Sequence, residues 1–181
     1  LQCCPVGEGA AAVILASEAG IKKLGIDKRR SVKILSSVTR TEGLYPPGEG
    51  IDAALTAETA RLAFDQSSVE PSDIDVLEVH DAFSIEELLY AEALGITKPG
   101  ETASLIQSGS LDIGGKCAIS PSGGLLAMGH PIGPTGVGQI AEITRQLRGE
   151  AGVRQQPNAQ TALAHMVGIG AVCVVHVLQK N

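Results

Sequence analysis

The sequence predicts a single α/β domain in which helices cover a mixed, five-stranded sheet. Its 181 residues suffice for one hydrophobic core, and 44% of them are hydrophobic. Apolar runs of strand length alternate with stretches of helical periodicity, which is typical of layered α/β domains. The 22 glycines and the absence of tryptophan favour a core of small aliphatic side chains joined by tight turns.

The first half of the chain predicts two strand–helix pairs. "GAAAVILA" (9–16) is a continuous apolar run of strand length, and the short helical stretch "SEAGIKKLG" (17–25) follows it and stops at a glycine. "VKILSSV" (32–38) predicts the second strand. Helix 51–66 follows with one apolar stripe, and its polar side begins at Thr56.

The second half predicts a third strand–helix pair, a long loop, a helix and two closing strands. Ser84 is the expected cap of the helix in the third pair, and Gly95 is its expected stop. The predicted order is therefore βαβαβα, a loop, and αββ. The elements of this half are strand 71–79 with its leading turn, helix 83–95, loop 97–122, helix 134–148, and strands 161–168 and 171–178. The residues expected on the apolar face of helix 134–148 are Val137, Ile140, Ala141, Thr144 and Leu147.

Charge and cysteine usage exclude several classes of protein. The net charge of −6 argues against a nucleic-acid or anionic-membrane surface, and the basic cluster at 22–30 contains no aromatic residue. No apolar run reaches the roughly 18 residues of a membrane span, and no signal-peptide pattern opens the sequence, so we expect a cytoplasmic protein. The cysteines lack C-x-x-C spacing, which predicts neither a zinc site nor a disulfide framework. They are Cys3, Cys4, Cys117 and Cys173.

Three stretches carry residues suited to chemistry, and each contains a histidine. "EVHDAF" (78–83) places His80 at the carboxyl end of a buried strand, where open α/β sheets bind ligands. "GHPIGPTG" (129–136) holds His130 in a loop that its prolines stiffen and its glycines open to close backbone approach. "HMVGIGA" (165–171) puts His165 before a glycine turn whose N–H groups could face an oxyanion.

Each stretch also has a plainer interpretation. Asp81 could cap the next helix while His80 makes a surface contact. The second stretch could be a helix entry with an incidental histidine, and the third a β-turn with a partly buried one. His176, inside a strand, is expected only to pack.

Taken together, these stretches resemble the C-terminal half of the thiolase family. "HDAF", "SPSGG" (120–124), "GHPIGPTG" and the glycine turn occur in the order found there, and the GHPxGxTG element is highly specific. "GGKCAISPSGG" and "QLRGEAG" (146–152) look most like sterol-carrier-protein-type and archaeal thiolases, a group that includes thiolase-like aldolases. "CPVGEGAAAVILASE" (4–18) resembles the strand that closes the N-terminal half in that group.

The resemblance implies a role for each histidine. His130 would assist ionisation of a reactive cysteine, and together with His80 it would form an oxyanion site for a thioester enolate. His165 takes the place of an acid/base cysteine. The backbone near Val167 and Gly168 would face the acyl-enzyme carbonyl.

Two departures from the family pattern concern the acid/base group. His165 replaces one cysteine, and Ala82 stands where sterol-carrier types have another in HDCF. An imidazole with an ordinary pKa near 6.5 can move the α-proton, so His165 is one substitute. The other possibility is retro-aldol cleavage, for which Tyr45 is a candidate group.

The resemblance implies that residues 1–181 form a thiolase C-terminal domain without the half that carries the nucleophile. The expected activity is that of an acetyl-CoA acetyltransferase-type acyltransferase, inactive as this piece alone. The alternatives are an aldolase acting on β-hydroxyacyl-CoA with an OB-fold, zinc-ribbon partner, and a non-catalytic domain of the same fold. Coenzyme A thioesters are the expected substrates, no permanently bound cofactor or metal is expected, and the full enzyme is expected to be a homodimer.

Overall fold

The computed structural model describes residues 2–41, 51–168 and 172–181, which contain five strands and six helices. Three single-turn 3-10 helices, at 28–30, 71–73 and 152–154, join them. The elements are α1 (Glu18–Lys23), β1 (Val32–Thr41), α2 (Ile51–Ser67), β2 (Val76–Glu78), α3 (Ser84–Ala93), α4 (Thr102–Gln107), β3 (Ala118–Ile119), α5 (Gly124–Met128), α6 (Thr135–Arg148), β4 (Thr161–Gly168) and β5 (Val172–Lys180).

The strands form one mixed sheet in the order β1-β5-β4-β2-β3, which confirms the predicted fold class. β5 pairs antiparallel with both β1 and β4, while β2 pairs parallel with both β4 and β3. Parallel strands end at the same edge of a sheet. β2 ends beside Ala164, so the loop after β2 begins next to the middle of β4 and runs on the side of its carboxyl half.

Helices cover both faces of the sheet, because alternate residues of each strand point to opposite sides. Leu77 and Leu163 pack into the larger core with α2 and α3. Val76 and Ala162, their chain neighbours, pack into a second core against α6. The central strands are thus buried on both sides, as their short continuous apolar sequences predict.

The prediction of a strand at 9–16 is wrong. This segment has no regular structure, and Ile14 and Leu15 are 93% and 76% exposed. A strand forms only where another strand accepts its N–H and C=O groups, and none in the described part of the chain pairs with it. The fifth strand is instead β3, which lies with α4 inside the predicted loop 97–122.

The prediction for the buried face of α6 is also largely wrong. Of the residues placed on it only Leu147 is fully buried, whereas Val137 is 36% exposed. The buried face consists of Gln139, Glu142, Ile143, Gln146 and Leu147, which have the spacing of one helix face. Three of the five are polar, and hydrogen bonds inside the protein compensate for their burial, so hydrophobicity alone selects the wrong face.

Smaller differences concern the start of α3, the additional helix α5 and one threonine. Ser84 is the first residue of α3 rather than its cap; the Glu86 carboxylate accepts the Phe83 N–H at 3.0 Å and closes that end. α5 was not predicted. Thr56, expected at the start of a polar side, is fully buried. Gly95 ends α3 with φ +75°, as predicted.

Candidate active site

The three predicted histidines come together where β2 ends, beside the carboxyl half of β4. His80 lies two residues beyond β2, His165 lies in β4, and His130 lies in the loop between α5 and α6. The ring centroids of His80 and His130 are 5.2 Å apart, with the rings nearly perpendicular. The backbone N–H of His80 donates to Nδ1 of His165 at 3.5 Å. These three residues are called the histidine cluster below.

His165 lies at the back of the cluster and has no exposed surface. Its Nδ1 accepts from His80, so the proton of the neutral ring is on Nε2, which donates to Thr56 Oγ1 at 3.0 Å. The Tyr90 ring packs at 4.7 Å between centroids. Burial, followed by the nearby His80, lowers the pKa of His165 to about 3, so the ring is neutral at physiological pH.

His80 lies in the middle of the cluster and is 8% exposed. Burial, followed by repulsion from His130, lowers its pKa to about 4. Its Nδ1 lies 2.7 Å from the sulfur of Met166. A thioether has no proton to give, so a hydrogen bond across this contact has Nδ1–H as the donor and leaves a lone pair on Nε2.

His130 is the half-buried member of the cluster. Its Nδ1 contacts Thr135 Oγ1 at 2.9 Å, and that hydroxyl donates to the Pro131 carbonyl at 2.8 Å. Because the hydroxyl proton is already used, Thr135 accepts from Nδ1–H, and the lone pair of the neutral ring is on Nε2. A base with a fixed ring orientation results, as a proton acceptor for a thiol requires.

The loops that carry His80 and His130 are joined through Asp81. Its Oδ1 accepts the Leu125 N–H at 2.7 Å, so Asp81 caps α5 and not α3, the next helix after it. Gly124, with φ +60°, lies so close that a Cβ there would overlap the Asp81 carboxylate. The glycine pair in "SPSGG" thus lets the loop dock directly on the residue after His80.

Glu78, the last residue of β2, also binds the loop that contains "SPSGG". Its two carboxyl oxygens accept from the backbone N–H and the hydroxyl of Ser122, at 3.1 and 2.7 Å. These bonds favour the ionised form, but the side chain is 1% exposed, and burial raises its pKa to about 8. Glu78 is therefore mainly protonated at neutral pH.

The remaining site predictions stay predictions. Val167 and Gly168 are the last two residues of β4, opposite Cys173 and Val172, and Gly168 is exposed. The turn after them, with Gly170, lies outside the described residues, and so does Tyr45.

Three of the four cysteines lack the environment of an ionised nucleophile. All four are free thiols. Burial raises the pKa of Cys117 to about 12 and also raises the pKa of Cys173. Burial together with the adjacent Cys3 raises the pKa of Cys4. A raised pKa keeps the thiol protonated and weakly nucleophilic.

Sequence reasoning missed the N-terminal segment that links the two histidine loops. Cys4 N–H donates to the Ala82 carbonyl at 2.8 Å, and His130 N–H donates to the Pro5 carbonyl at 2.8 Å. These contacts join backbone atoms only, so the pattern of side chains along the sequence does not predict them. Gln139 and Thr56 were missed as well; the available signal was a polar residue at helical spacing among apolar ones.

Comparison with known proteins gives a consistent set of similarities. The family model described as thiolase C-terminal domain-like matches residues 43–180. Human "Sterol carrier protein 2" is 47% identical, over 97% of this chain and 33% of that protein. "Acetyl-CoA acetyltransferase" of Methanothermobacter thermautotrophicus is 39% identical, over 99% of this chain and 47% of that protein.

Among solved structures, the "Ltp2-ChsH2(DUF35) aldolase" superposes with a TM-score of 0.67 at 25% identity, covering 79% of this chain and 38% of that one. The chain spans between a third and a half of the length of these relatives. In the described ranges, no helix is both long and apolar enough to cross a membrane.

Proposed function

The chain belongs to the thiolase family, as a C-terminal domain, and from this membership we propose that it forms half of the active site of an acyl-CoA acyltransferase. The observation that carries the proposal is the edge-to-face pair of His80 and His130 at the carboxyl edge of the sheet. This pair brings two imidazoles to one spot from segments 50 residues apart in the sequence. Acyl transfer at a coenzyme A thioester requires a base and an oxyanion site at one place.

His130 is proposed to activate the nucleophile. In the neutral ring, Nε2 takes the proton of a cysteine thiol, and the thiolate attacks the thioester carbonyl. The resulting Nε2–H donates to the acyl oxygen while the tetrahedral adduct carries negative charge there, and it gives its proton to the coenzyme A sulfur as the C–S bond to coenzyme A breaks. Thr135 supports both steps because it holds Nδ1–H and so keeps Nε2 directed outward.

His80 is proposed to hold the thioester oxygen beside His130. Donation to an oxyanion needs the tautomer with the proton on Nε2, in which Nδ1 faces the Met166 sulfur without a hydrogen bond. Removing one such donor typically costs about 10²- to 10³-fold in turnover. The tautomer of His80 therefore distinguishes this role from that of a base.

His165 is proposed to support His80 rather than to transfer protons to the substrate. Both of its ring nitrogens have partners inside the protein, and its lowered pKa makes it a weak base. His165 accepts the His80 backbone N–H and so fixes the position of the His80 backbone, from which the ring extends. The position of His165 in the glycine-turn motif predicts an acid/base role at the α-carbon for it. This role is proposed for His80 and His130 instead.

The nucleophilic cysteine is proposed to come from the other thiolase half, on the same polypeptide or on another chain. The pKa values of Cys4, Cys117 and Cys173 are raised, and none of the four cysteines is a member of the histidine cluster. With a net charge of −6, the chain also offers little to the phosphates of coenzyme A, which that other half or the second subunit of a homodimer would bind. Coenzyme A thioesters enter as substrates and not as bound cofactors.

Thiolysis of acetoacetyl-CoA tests the proposal, with the polypeptide that carries the nucleophile half present. We expect His130→Ala to lower kcat by about 10²- to 10³-fold. His176→Ala is the matched control, because His176 is half-buried in β5 and belongs to no part of the cluster. Equal activity of the two variants would contradict the proposal.

A second candidate function is retro-aldol cleavage of a β-hydroxyacyl-CoA. Two observations favour it: Ala82 and His165 stand where acid/base cysteines are expected, and the Met166 contact favours a lone pair on His80 Nε2. That nitrogen would take the β-hydroxyl proton, the Cα–Cβ bond would break, and the electron pair would form a thioester enolate, which is then protonated at the α-carbon. An OB-fold, zinc-ribbon protein is the proposed partner in this case.

Product analysis separates the two candidates. Release of an aldehyde or ketone from a β-hydroxyacyl-CoA, without thiolysis of acetoacetyl-CoA, assigns the lyase. Neither reaction, in an assay that contains the nucleophile half and a partner protein, assigns a non-catalytic domain of the same fold.

A further inference from the structure

We infer that Gln139 is a positioning residue that ties together the ends of the two strands carrying His80 and His165. Its side-chain amide donates to the Val79 carbonyl at 3.2 Å and to the His165 carbonyl at 3.1 Å. The residue is 5% exposed. One amide group thus uses both of its N–H bonds to join β4 to the residue before His80.

The tie lies where the parallel ladder of β2 and β4 stops. The last registered pair is Glu78 with Ala164. Beyond it, the chain after β2 turns away into the "HDAF" stretch, and the Gln139 amide connects the next two positions, Val79 and His165. It continues the link between the two chains one residue past the end of β2.

This link sets the geometry of the cluster. The hydrogen bond from His80 N–H to His165 Nδ1 is 3.5 Å long, at the outer limit for such a bond. A small separation of the two strand ends would therefore break it. Because His80 is the next residue after Val79, the amide determines whether the two histidines stay in register.

Gln139 also connects the third histidine. It lies on α6, one turn beyond Thr135, whose hydroxyl holds the His130 ring. The same helix turn thus orients His130 and binds the two strands that carry the other members of the cluster. Displacement of α6 would move all three rings relative to one another.

The chain offers a matched control on the same helix. Gln146 is 1% exposed, and its side-chain amide also donates twice, to the Arg154 carbonyl at 2.7 Å and to Glu142 at 3.2 Å. It lies two turns further along, its amide oxygen accepts the Gln156 N–H at 2.8 Å, and none of these side-chain hydrogen bonds joins it to a histidine. Replacing either glutamine by methionine removes a buried amide at nearly constant volume, but only Gln139→Met removes the tie.

Amide hydrogen exchange at His80, followed by NMR, tests the inference without any assay of activity. We expect Gln139→Met to accelerate exchange of the His80 N–H by at least about tenfold relative to Gln146→Met, with both variants compared at equal global stability. Equal acceleration in the two variants would overturn it. If Gln139→Met does not fold, Gln139→Asn takes its place, because its shorter amide cannot reach both carbonyls; exchange at the wild-type rate would then overturn the inference.

A second readout rests on the proposed function. With the nucleophile half present, Gln139→Met should lower kcat by about tenfold and leave KM within about twofold, since a misplaced ring affects the chemical step more than binding. The two readouts fail independently. Fast exchange without any thiolase or lyase activity in the wild type would contradict the proposed function and leave the positioning role standing.

Discussion

Two apolar segments of strand length, 9–16 and β4, differ in whether they form a strand. β4 pairs with β5 on one side and β2 on the other, and most of its residues are buried. Segment 9–16 has no strand partner in the described ranges, and its largest side chains are exposed. Hydrophobicity shows that a segment favours burial, but a strand forms only where a free sheet edge of matching register exists. The histidine cluster is built on β4, which pairs with a sheet edge of matching register.

The largest expected effect contrasts the two segments directly. Leu163 in β4 is fully buried, so Leu163→Ala should lower the free energy of unfolding by about 3 kcal/mol through the cavity it leaves. Ile14 is 93% exposed, and Ile14→Ala should change it by less than about 0.5 kcal/mol. Urea denaturation measures both. A large loss for Ile14→Ala would show that segment 9–16 is packed and would remove the contrast.

A second pair of substitutions sharpens the contrast at the loops of the cluster. Gly124→Ala places a Cβ against the Asp81 carboxylate at a positive φ, and we expect it to cost about 2 kcal/mol. Gly138→Ala, on α6, meets no neighbouring atom and should stabilise the helix by up to about 1 kcal/mol. Thermal unfolding of the two variants gives the comparison. A neutral Gly124→Ala would mean that the loop does not dock on Asp81.

The fold was predictable from sequence where apolar runs make the strands, and not where polar residues are buried. The positions of β1, β2, β4 and β5 follow from such runs. The buried face of α6 does not, because Gln139, Glu142 and Gln146 satisfy their hydrogen bonds inside the protein. The short strand β3 lies in a glycine-rich stretch with only a two-residue pairing, which is too short for a periodic signal.

The third expected effect concerns pH and the buried carboxyl group beneath the cluster. Unfolded Glu78 ionises near 4.5, whereas in the folded protein its pKa is about 8. Between these values the folded state binds more protons, so the free energy of unfolding falls as pH rises, by at most about 1.4 kcal/mol per pH unit. Glu87, with a pKa of about 7, adds to this below pH 7, while the pKa values of His80 and His165 are lowered to about 4 and about 3.

Between pH 7 and 8 the contribution of Glu87 declines, and Glu78 contributes more of the pH dependence than Glu87. We expect Glu78→Gln to remove most of the loss of stability there, since the amide keeps the shape and cannot ionise. Urea denaturation at several pH values in this window measures it. An unchanged slope in Glu78→Gln would show that another group carries the pH dependence.

The sequence predicts which histidines form the candidate site, but it does not predict the residues that orient them. His80, His130 and His165 follow from short motifs, and the structure brings them together as expected. What orients them comes from elsewhere in the chain: Thr56 from α2, Gln139 from α6, and the backbone of Pro5 from the N-terminal segment. Such long-range contacts arise from the topology, and no local pattern records them. The differing burial of the three rings follows from the same packing.

A double-mutant cycle on thiolysis of acetoacetyl-CoA tests most directly whether His80 and His130 act as one catalytic unit. It compares kcat for His80→Ala, His130→Ala and the double variant, with the nucleophile half present. When two residues act as one unit, removing either of them already removes nearly all of their joint effect on kcat. We therefore predict that kcat of the double variant is at most about threefold lower than kcat of the slower single variant. Losses that multiply in full, or no loss in either single variant, would contradict a shared oxyanion and base site.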